Sequence, residues 1–283
     1  MGSTRRAARL SSLAVIAALF TGCGLPALVL PHAHAPFHPA VATLRRAPLY
    51  FYPASVAAPD SAHAARAVVF FFGNDVGFWR AHQRLAELLR AHGYDVVGFD
   101  VRRELGRLPN GPTREAVYLA RIDSLITDAR AAFGAAALPL VIAGHSIGGE
   151  LALWTAAHLR APRSAVPPVA GLAGVVSLSP GARGHLRTGL SDMLGREPHG
   201  PESFAVDSVV VRLAPDVRVA LVRGTRDPFR SADSAIVAAG ARLFPVAGQG
   251  HSRLKQHVAG PVVLAALAFV LDSAAAPARR AAP

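Results

Sequence analysis

Ser146 lies in the pentapeptide Gly144-His145-Ser146-Ile147-Gly148, which follows an apolar run and precedes a helical pattern. Glycines on both sides permit a sharp strand-to-helix turn, where larger side chains would clash. Such a turn exposes the serine hydroxyl at a helix N-terminus, whose free amides and dipole stabilise developing negative charge. The pattern predicts a nucleophile elbow with Ser146 as the nucleophile and Gly144 and Gly148 as its glycines.

A serine hydroxyl is a weak nucleophile, so it needs a histidine as base and an acid that orients this histidine. Asp227 follows the apolar run at 217–222, and His251 follows the short run at 242–246. Both residues therefore fall in loops after predicted strands, in the order serine, acid, histidine. We predict that Ser146, Asp227 and His251 form a catalytic triad acting on a carboxylic ester.

Other histidines and acids fit the triad less well. His145 belongs to the elbow, but its side chain cannot reach round to the hydroxyl of its neighbour. His257 is predicted to lie on the closing helix as a surface residue. Asp207 precedes the apolar run SVVV and is interpreted as a turn residue.

The oxyanion of an acyl-transfer intermediate needs two amide donors. The first is the amide of Ile147, directly after the nucleophile. We assign the second to the Asn74 backbone, in the loop after the apolar run at 67–72, with Asp75 as the alternative. Trp79, further along this loop, either lines the mouth of the pocket or packs against a helix.

Strand and helix patterns alternate along the chain. Continuous apolar runs predict strands buried on both faces, at 67–72, 95–100, 138–143, 171–178, 217–222 and 242–246. Helical periodicity and end signals predict helices, at 79–92, 113–133, 150–159 and 256–271. This alternation predicts an α/β fold: a mostly parallel sheet with helices on both faces and ligands bound beyond the carboxyl ends of the strands.

The segment 181–216 is long enough to form a short cap over the site, inserted after strand 6 of the fold, the strand at 171–178. It offers three side chains as substrate contacts for an anionic head group: Arg183, His185 and Arg187.

Composition limits the classes of protein. The 283 residues are 52% hydrophobic and 17% charged, which suits one α/β domain and excludes a disordered chain. The net charge of +12 comes from scattered arginines, with Lys255 as the single lysine, so no nucleic-acid surface is predicted. The charge reflects either genome composition or affinity for anionic lipid. One cysteine allows no intramolecular disulfide, and neither a metal nor an organic cofactor is implied.

Residues 1–30 are interpreted as an export segment: a basic start, an apolar stretch at 10–20 and small residues before Cys23. Residues 19–23 resemble a lipobox, which predicts lipidation at Cys23. Two alternatives are an uncleaved anchor and cleavage near Ala35. All three predict an exported protein in the periplasm or cell envelope, at a membrane surface.

Residues 31–45 are rich in Pro, His and Ala and are predicted to form a tether. The spacing of His32, His34 and His38 would permit a metal, but a solvated linker is the simpler interpretation. The hydrolase-like domain is predicted over 46–275, with a disordered tail at 276–283.

Over residues 46–272 the chain resembles the α/β-hydrolases, and more narrowly the VirJ/AcvB family of exported bacterial virulence-associated proteins. The narrower likeness is carried by 73–79, similar to that family's Gly-Asp-Gly-Gly-Trp loop, and by 93–100, similar to its Gly-x-x-Val-Val-Gly-x-Asp segment. Residues 112–115 and 177–195 resemble two further family segments. The resemblance implies hydrolysis of lysyl-phosphatidylglycerol at the outer side of the inner membrane.

Two other functions stay open from the sequence. One is a generic exported carboxylesterase or lipase with the same triad. The other belongs to a different class: a surface binding protein that keeps the fold without catalysis. The expected partners are an ester substrate, an anionic phospholipid and the membrane surface.

Overall fold

Apolar runs form the strands of one large sheet. The computed structural model of the protein describes residues 33–55, 65–160, 171–189, 196–200 and 202–272. Its strands are β1 (Leu49–Tyr52), β2 (Ala67–Phe72), β3 (Tyr94–Phe99), β4 (Leu140–His145), β5 (Leu172–Leu178), β6 (Arg183–His185), β7 (Ser203–Ala205), β8 (Arg218–Gly224) and β9 (Arg242–Val246). Seven of them pair in the order β1-β3-β2-β4-β5-β8-β9, and β6 pairs with β7 in a separate hairpin.

The large sheet is parallel except for β1, which pairs antiparallel with β3 at one edge. Every residue of β2, β3, β4 and β5 is buried. Successive side chains of a strand point to opposite faces, so Val68, Phe70 and Phe72 join one core while Val69 and Phe71 join the other. The sheet is therefore covered on both sides, which confirms the predicted fold class.

Helices supply these two layers. They are α1 (Ala42–Arg46), α2 (Arg80–Ala91), α3 (Val101–Leu105), α4 (Arg114–Ala132), α5 (Ile147–Leu159), α6 (Val206–Leu213), α7 (Asp233–Ala238) and α8 (Gly260–Leu271). Helices α2 and α8 contribute to one core, and α4, α5 and α6 contribute to the other. Short 3-10 turns lie at Pro228–Ala232, His251–Arg253 and His257–Ala259.

Three predicted local structures were wrong. Helix α5 begins at Ile147, directly after the nucleophile candidate, and not at 150. Helix α8 begins at Gly260, so His257 lies in a 3-10 turn instead of on the closing helix. Asp207 lies in the first turn of α6 and is not a turn residue, because Val206 and the apolar residues that follow it at helical spacing bury one face of that helix.

The predicted tether at 31–45 departs from the structure over its described part. Residues 42–46 form α1, whose Leu44 is 1% exposed. The ring of Phe37 packs against Phe51 and Phe133, and the amide of His34 donates to the side chain of Gln83. Leu44 and Phe37 of this Pro-rich stretch thus pack into the core, whereas Val41 stays exposed. Cys23, His32 and the tail at 276–283 lie outside the described residues.

The described residues contain neither a metal-ligand cluster nor a membrane-spanning helix. Within the ranges stated above, no group of three or more His, Cys, Asp or Glu side chains is placed to hold a metal. Over the same ranges, no helix combines the length and apolar character that crossing a membrane requires.

The insertion between β5 and β8 contains the β6–β7 hairpin and α6. A Cβ atom on Gly184, in β6, would overlap the Phe204 ring and approach the stem of Glu150, so the hairpin packs tightly against the start of α5. This places the insertion at the carboxyl ends of the strands, beside the elbow.

Candidate active site

Ser146 occupies a strained turn between β4 and α5. Its backbone angles are φ 58 and ψ −129, which residues with a Cβ rarely adopt. A side chain on Gly144 would overlap the Gly148 carbonyl, and one on Gly148 would overlap the Gly73 carbonyl. The two glycines therefore let the turn close and let the loop after β2 approach it. This is the local geometry that the pentapeptide predicted.

His251 approaches Ser146 from the loop after β9. Its Nε2 lies 3.1 Å from Ser146 Oγ, within hydrogen-bond distance. The carbonyl of His251 accepts a 3.0 Å hydrogen bond from Nε2 of His145, and the Phe229 ring lies edge-on at 4.9 Å. These contacts hold the imidazole of His251 toward the nucleophile candidate.

His145 supports the site from the core side. It is fully buried, and burial first, then the charge of Lys255, lowers its pKa well below the ordinary value. Its ring is therefore neutral and its Nε2 carries the proton that the His251 carbonyl accepts. This nitrogen thus bonds to the backbone of His251, whereas the hydroxyl of Ser146 faces the imidazole of His251.

Asp227 follows β8 and is 1% exposed. Its Oδ1 accepts a 2.9 Å hydrogen bond from the Phe229 amide and lies 3.5 Å from His251 Nδ1. Burial alone would raise its pKa, but contacts with His251, Ser179 and the Phe229 amide outweigh burial and lower the pKa to about 2. A carboxylate at neutral pH therefore faces the far side of the imidazole.

A second serine contacts both of these residues. Ser179 follows β5, is fully buried, and has a positive φ of 57. Its Oγ lies 2.7 Å from His251 Nδ1 and is hydrogen-bonded to Asp227 Oδ2. The Arg223 guanidinium lies beside this pair, with Nη1 3.3 Å from Asp227 Oδ2. The structure thus brings the three predicted triad residues together and adds Ser179 and Arg223.

A cavity of about 260 Å³ opens in front of Ser146 and His251. Ile147 and Asp75 line it next to the nucleophile candidate, whereas Asn74 is buried and not among the lining residues. The amide of Ile147 begins α5, as an oxyanion donor requires. Which amide of the loop after β2 is the second donor stays a prediction, and the structure brings the alternative, Asp75, to the cavity.

The cavity wall carries both signs of charge. Three acidic side chains line it, Asp75, Glu150 and Glu197, together with the basic side chains of Arg183 and Arg196. Glu150, 7% exposed, also accepts a 2.8 Å hydrogen bond from the Gly181 amide, which ties α5 to the start of the insertion.

Of the predicted substrate contacts, the structure brings only Arg183 to this cavity. His185 and Arg187 line a separate hollow with Arg196, and Arg187 is paired with Glu202. This second hollow shares Arg196, Glu197 and Pro198 with the cavity.

Trp79 does not line the site cavity either. It lies at the N-terminal end of α2, where its ring faces the ammonium group of Lys255 at 5.2 Å. The sequence left two interpretations of Trp79 open, and the structure supports packing at the end of a helix over lining the mouth of the pocket.

Sequence reasoning missed four side chains of the site and its surroundings: Ser179, Arg223, Glu150 and Lys255. Ser179 and Arg223 each come directly after a predicted strand. That position was the available sequence signal, since ligands bind beyond the carboxyl ends of the strands in such sheets. Lys255 carried another signal as the single lysine of the chain. Burial lowers its pKa to about 8, against the opposing effect of Asp75.

Comparison with solved structures shows the same fold. Est1E from Butyrivibrio proteoclasticus is 17% identical, with a TM-score of 0.53 over 81% of this chain and 94% of its own. A dienelactone hydrolase described as putative, from Klebsiella pneumoniae, is 17% identical, with a TM-score of 0.52 over 78% and 98%. A monoglyceride lipase from Saccharomyces cerevisiae is 15% identical, with a TM-score of 0.52 over 85% and 98%.

No protein-family profile matches the sequence, and no curated protein matches it. The sheet order, the strained serine after β4 and the relatives by structure define the class: the chain has the α/β-hydrolase fold. At this level of identity the likeness establishes the fold and not a substrate.

Proposed function

We propose that this protein is a serine hydrolase that cleaves carboxylic esters with Ser146, His251 and Asp227. One observation carries the proposal: Ser146 Oγ, on a strained elbow facing a cavity, lies 3.1 Å from His251 Nε2. That separation lets the imidazole accept the hydroxyl proton as the oxygen attacks a carbonyl.

The reaction has two stages. In the first, His251 takes the Ser146 proton, an acyl-enzyme forms, and the imidazolium returns the proton to the leaving alcohol. In the second, His251 activates a water that releases the acid. The oxyanion is held by the amide of Ile147 and one from Asn74 or Asp75, while the charge of Asp227 stabilises the imidazolium.

The names of the structural neighbours agree with this proposal. The Klebsiella pneumoniae protein carries the name dienelactone hydrolase, described as putative, and the yeast protein is a monoglyceride lipase solved with a substrate analogue. These activities belong to those proteins, and they support ester cleavage here through the shared fold and the placement of the serine after β4.

Labelling with a fluorophosphonate probe tests the nucleophile. We expect full-length protein to label, and Ser146→Ala to lose the label while unfolding at a similar temperature. Loss of such a nucleophile in a serine protease lowers turnover by on the order of 10⁶-fold, so the contrast is large. Absent labelling of folded wild type would contradict the proposal and favour a non-catalytic binding protein.

Within this class we propose an aminoacyl-phospholipid, of the lysyl-phosphatidylglycerol type, as substrate. The resemblance to the VirJ/AcvB family supports it, and so does the charge of the cavity wall. The ammonium groups of a lysyl ester match the carboxylates of Asp75 and Glu197, and its phosphate matches Arg183 or Arg196.

Paired substrates separate this proposal from a generic carboxylesterase. Glu197→Gln should raise KM for lysyl-phosphatidylglycerol in detergent micelles and leave KM for a neutral short-chain ester unchanged. Cleavage of the neutral ester alone by wild type would contradict the lipid substrate and support the generic esterase.

We also propose export to the periplasm or cell envelope, with attachment through a lipidated Cys23 or an uncleaved N-terminal segment. The support is the sequence at 1–30. Fractionation of cells that express wild type or Cys23→Ser tests this: lipidation requires that only wild type stays with the membrane. Membrane retention of both would indicate the uncleaved anchor, and recovery of wild type in the cytosol would contradict export.

A further inference from the structure

The hydroxyl of Ser179 stands where an acid–histidine hydrogen bond is expected. His251 Nδ1 lies 3.5 Å from Asp227 Oδ1, which exceeds the usual range for an N–H···O bond. The same nitrogen lies 2.7 Å from Ser179 Oγ, and that oxygen is hydrogen-bonded to Asp227 Oδ2. The path of hydrogen bonds from the imidazole to the carboxylate therefore runs through Ser179.

Donor counting fixes the direction of both bonds. An ionised carboxylate only accepts hydrogen bonds, and a serine hydroxyl has one proton to donate. The low pKa of Asp227, about 2, keeps its carboxylate ionised, so Ser179 donates to Asp227. Ser179 must then accept from His251, whose Nδ1 carries the proton. Nε2 of His251 is thereby left free to accept a proton from Ser146.

We infer that Ser179 is a positioning residue of the active site, which transmits the effect of Asp227 to His251 and selects the reactive tautomer of the imidazole. This inference rests on the proposed function, since it concerns the base that activates Ser146. It changes the expected arrangement of serine, histidine and acid into a chain of four side chains.

The carboxylate of Asp227 is anchored away from the imidazole. The Phe229 amide donates to Oδ1 at 2.9 Å, and Arg223 donates to Oδ2 at 3.3 Å. Arg223 is itself fixed, since its Nε donates to Asp233 at 2.8 Å and its Nη2 to the Pro180 carbonyl at 2.7 Å. These bonds oppose the rotation that a direct bond from Asp227 to His251 would require.

The backbone of Ser179 supports a role for its hydroxyl. Of the non-glycine residues that the structure describes, only Ser146 and Ser179 have a positive φ. Glycine adopts this conformation with least strain, and strained residues concentrate at functional sites. The amide of Ser179 donates to the Val222 carbonyl at 2.9 Å, which fixes the turn and directs the side chain between His251 and Asp227.

Three variants test the inference. Ser179→Ala removes the hydroxyl and keeps the Cβ, whereas Ser179→Gly removes the hydroxyl and also relieves the backbone. Ser177→Ala is the matched control, because Ser177 is buried two residues earlier and its Oγ has no hydrogen-bond partner in the described chain. Steady-state kinetics on a short-chain chromogenic ester, thermal unfolding and the low-field proton signal of a hydrogen-bonded His Nδ1–H are measured for each.

We expect both Ser179 variants to lower kcat by about 10- to 1000-fold with little change in KM. Loss of the acid in a serine protease lowers kcat about 10⁴-fold, and the charge of Asp227 remains here. The low-field proton signal should disappear in both variants and persist in Ser177→Ala. The unfolding temperature of Ser179→Gly should be at least as high as that of Ser179→Ala. If the alanine variant folds poorly, the glycine variant still gives the kinetic result.

Three results would overturn the inference: unchanged kcat in the Ser179 variants, an equal loss in Ser177→Ala, or a retained low-field signal. Each is distinguishable from failure of the proposed function, because wild type would still label with fluorophosphonate. An unlabelled, inactive wild type would instead overturn the hydrolase proposal, and with it any catalytic role of Ser179.

Discussion

Replacing Ser146 by glycine should stabilise the protein more than replacing it by alanine. Alanine keeps a Cβ at φ 58 and ψ −129, a conformation that costs about 1–3 kcal/mol for residues other than glycine. Glycine removes this strain, but its freedom in the unfolded chain offsets about 0.4–1 kcal/mol of the gain. The free energy of unfolding of Ser146→Gly should therefore exceed that of Ser146→Ala by about 1 kcal/mol, the difference between the middle values of these two ranges.

Urea denaturation and thermal unfolding measure this difference. For a domain of this size, 1 kcal/mol corresponds to a shift in Tm of about 2–4 °C. Both variants lack the nucleophile and should not label with fluorophosphonate, so the comparison isolates the backbone.

Ser177, within β5, provides the control. Glycine inside a strand is less stable than alanine by about 0.5–1 kcal/mol, so the order of stability should reverse there. If Ser146→Ala proved as stable as Ser146→Gly while the Ser177 pair behaved as expected, the elbow would not be strained and this reasoning would fail.

Three further predictions concern charge and packing. The low pKa of Asp227, about 2, stabilises the folded state by on the order of 2 kcal/mol above pH 4. The difference in free energy of unfolding between wild type and Asp227→Asn should therefore shrink as the pH falls from 4 toward 2, which urea denaturation at a series of pH values would measure. Lys255 binds its proton more weakly when folded, with a pKa of about 8, so Lys255→Met should be more stable at pH 7 by up to about 3 kcal/mol. That advantage should decrease between about pH 8 and 10 as the folded lysine loses its proton, and a constant difference across this range would contradict it. Gly148→Ala should lower kcat by about 10²-fold, because the new Cβ would displace the Gly73 carbonyl and the loop after β2. A folded variant with the kcat of wild type would show that catalysis does not need the close approach of Gly148 to Gly73.

The fold class was predictable because continuous apolar runs in the sequence indicate its central strands. The run at Ala67–Phe72 has no polar residue, so only a strand covered on both faces suits it. The short edge strand Leu49–Tyr52 and helix α6 gave weaker signals, since each has few residues and takes its structure from packing on larger neighbours. Propensity over such short windows is a weak guide.

The candidate site was predictable only in part. The pentapeptide around Ser146 is a local motif, and Asp227 and His251 follow from strand order. Ser179 has no local motif and meets His251 across 72 positions of sequence, so its contact depends on the register between neighbouring strands. The sequence likewise could not show which of Arg183, His185 and Arg187 lines the cavity, because that depends on how the insertion packs beside the elbow.

Burial of the single lysine gives the protein one internal amine, Lys255, that is 6% exposed beneath Trp79. At mildly alkaline pH this amine is largely uncharged, because its pKa is about 8, so burial and not protonation protects it from acylating reagents. The rate at which such a reagent modifies Lys255 in the native protein would therefore measure how often the segment around Trp79 opens. The protein thus contains its own single-site reporter of local unfolding beside the active site.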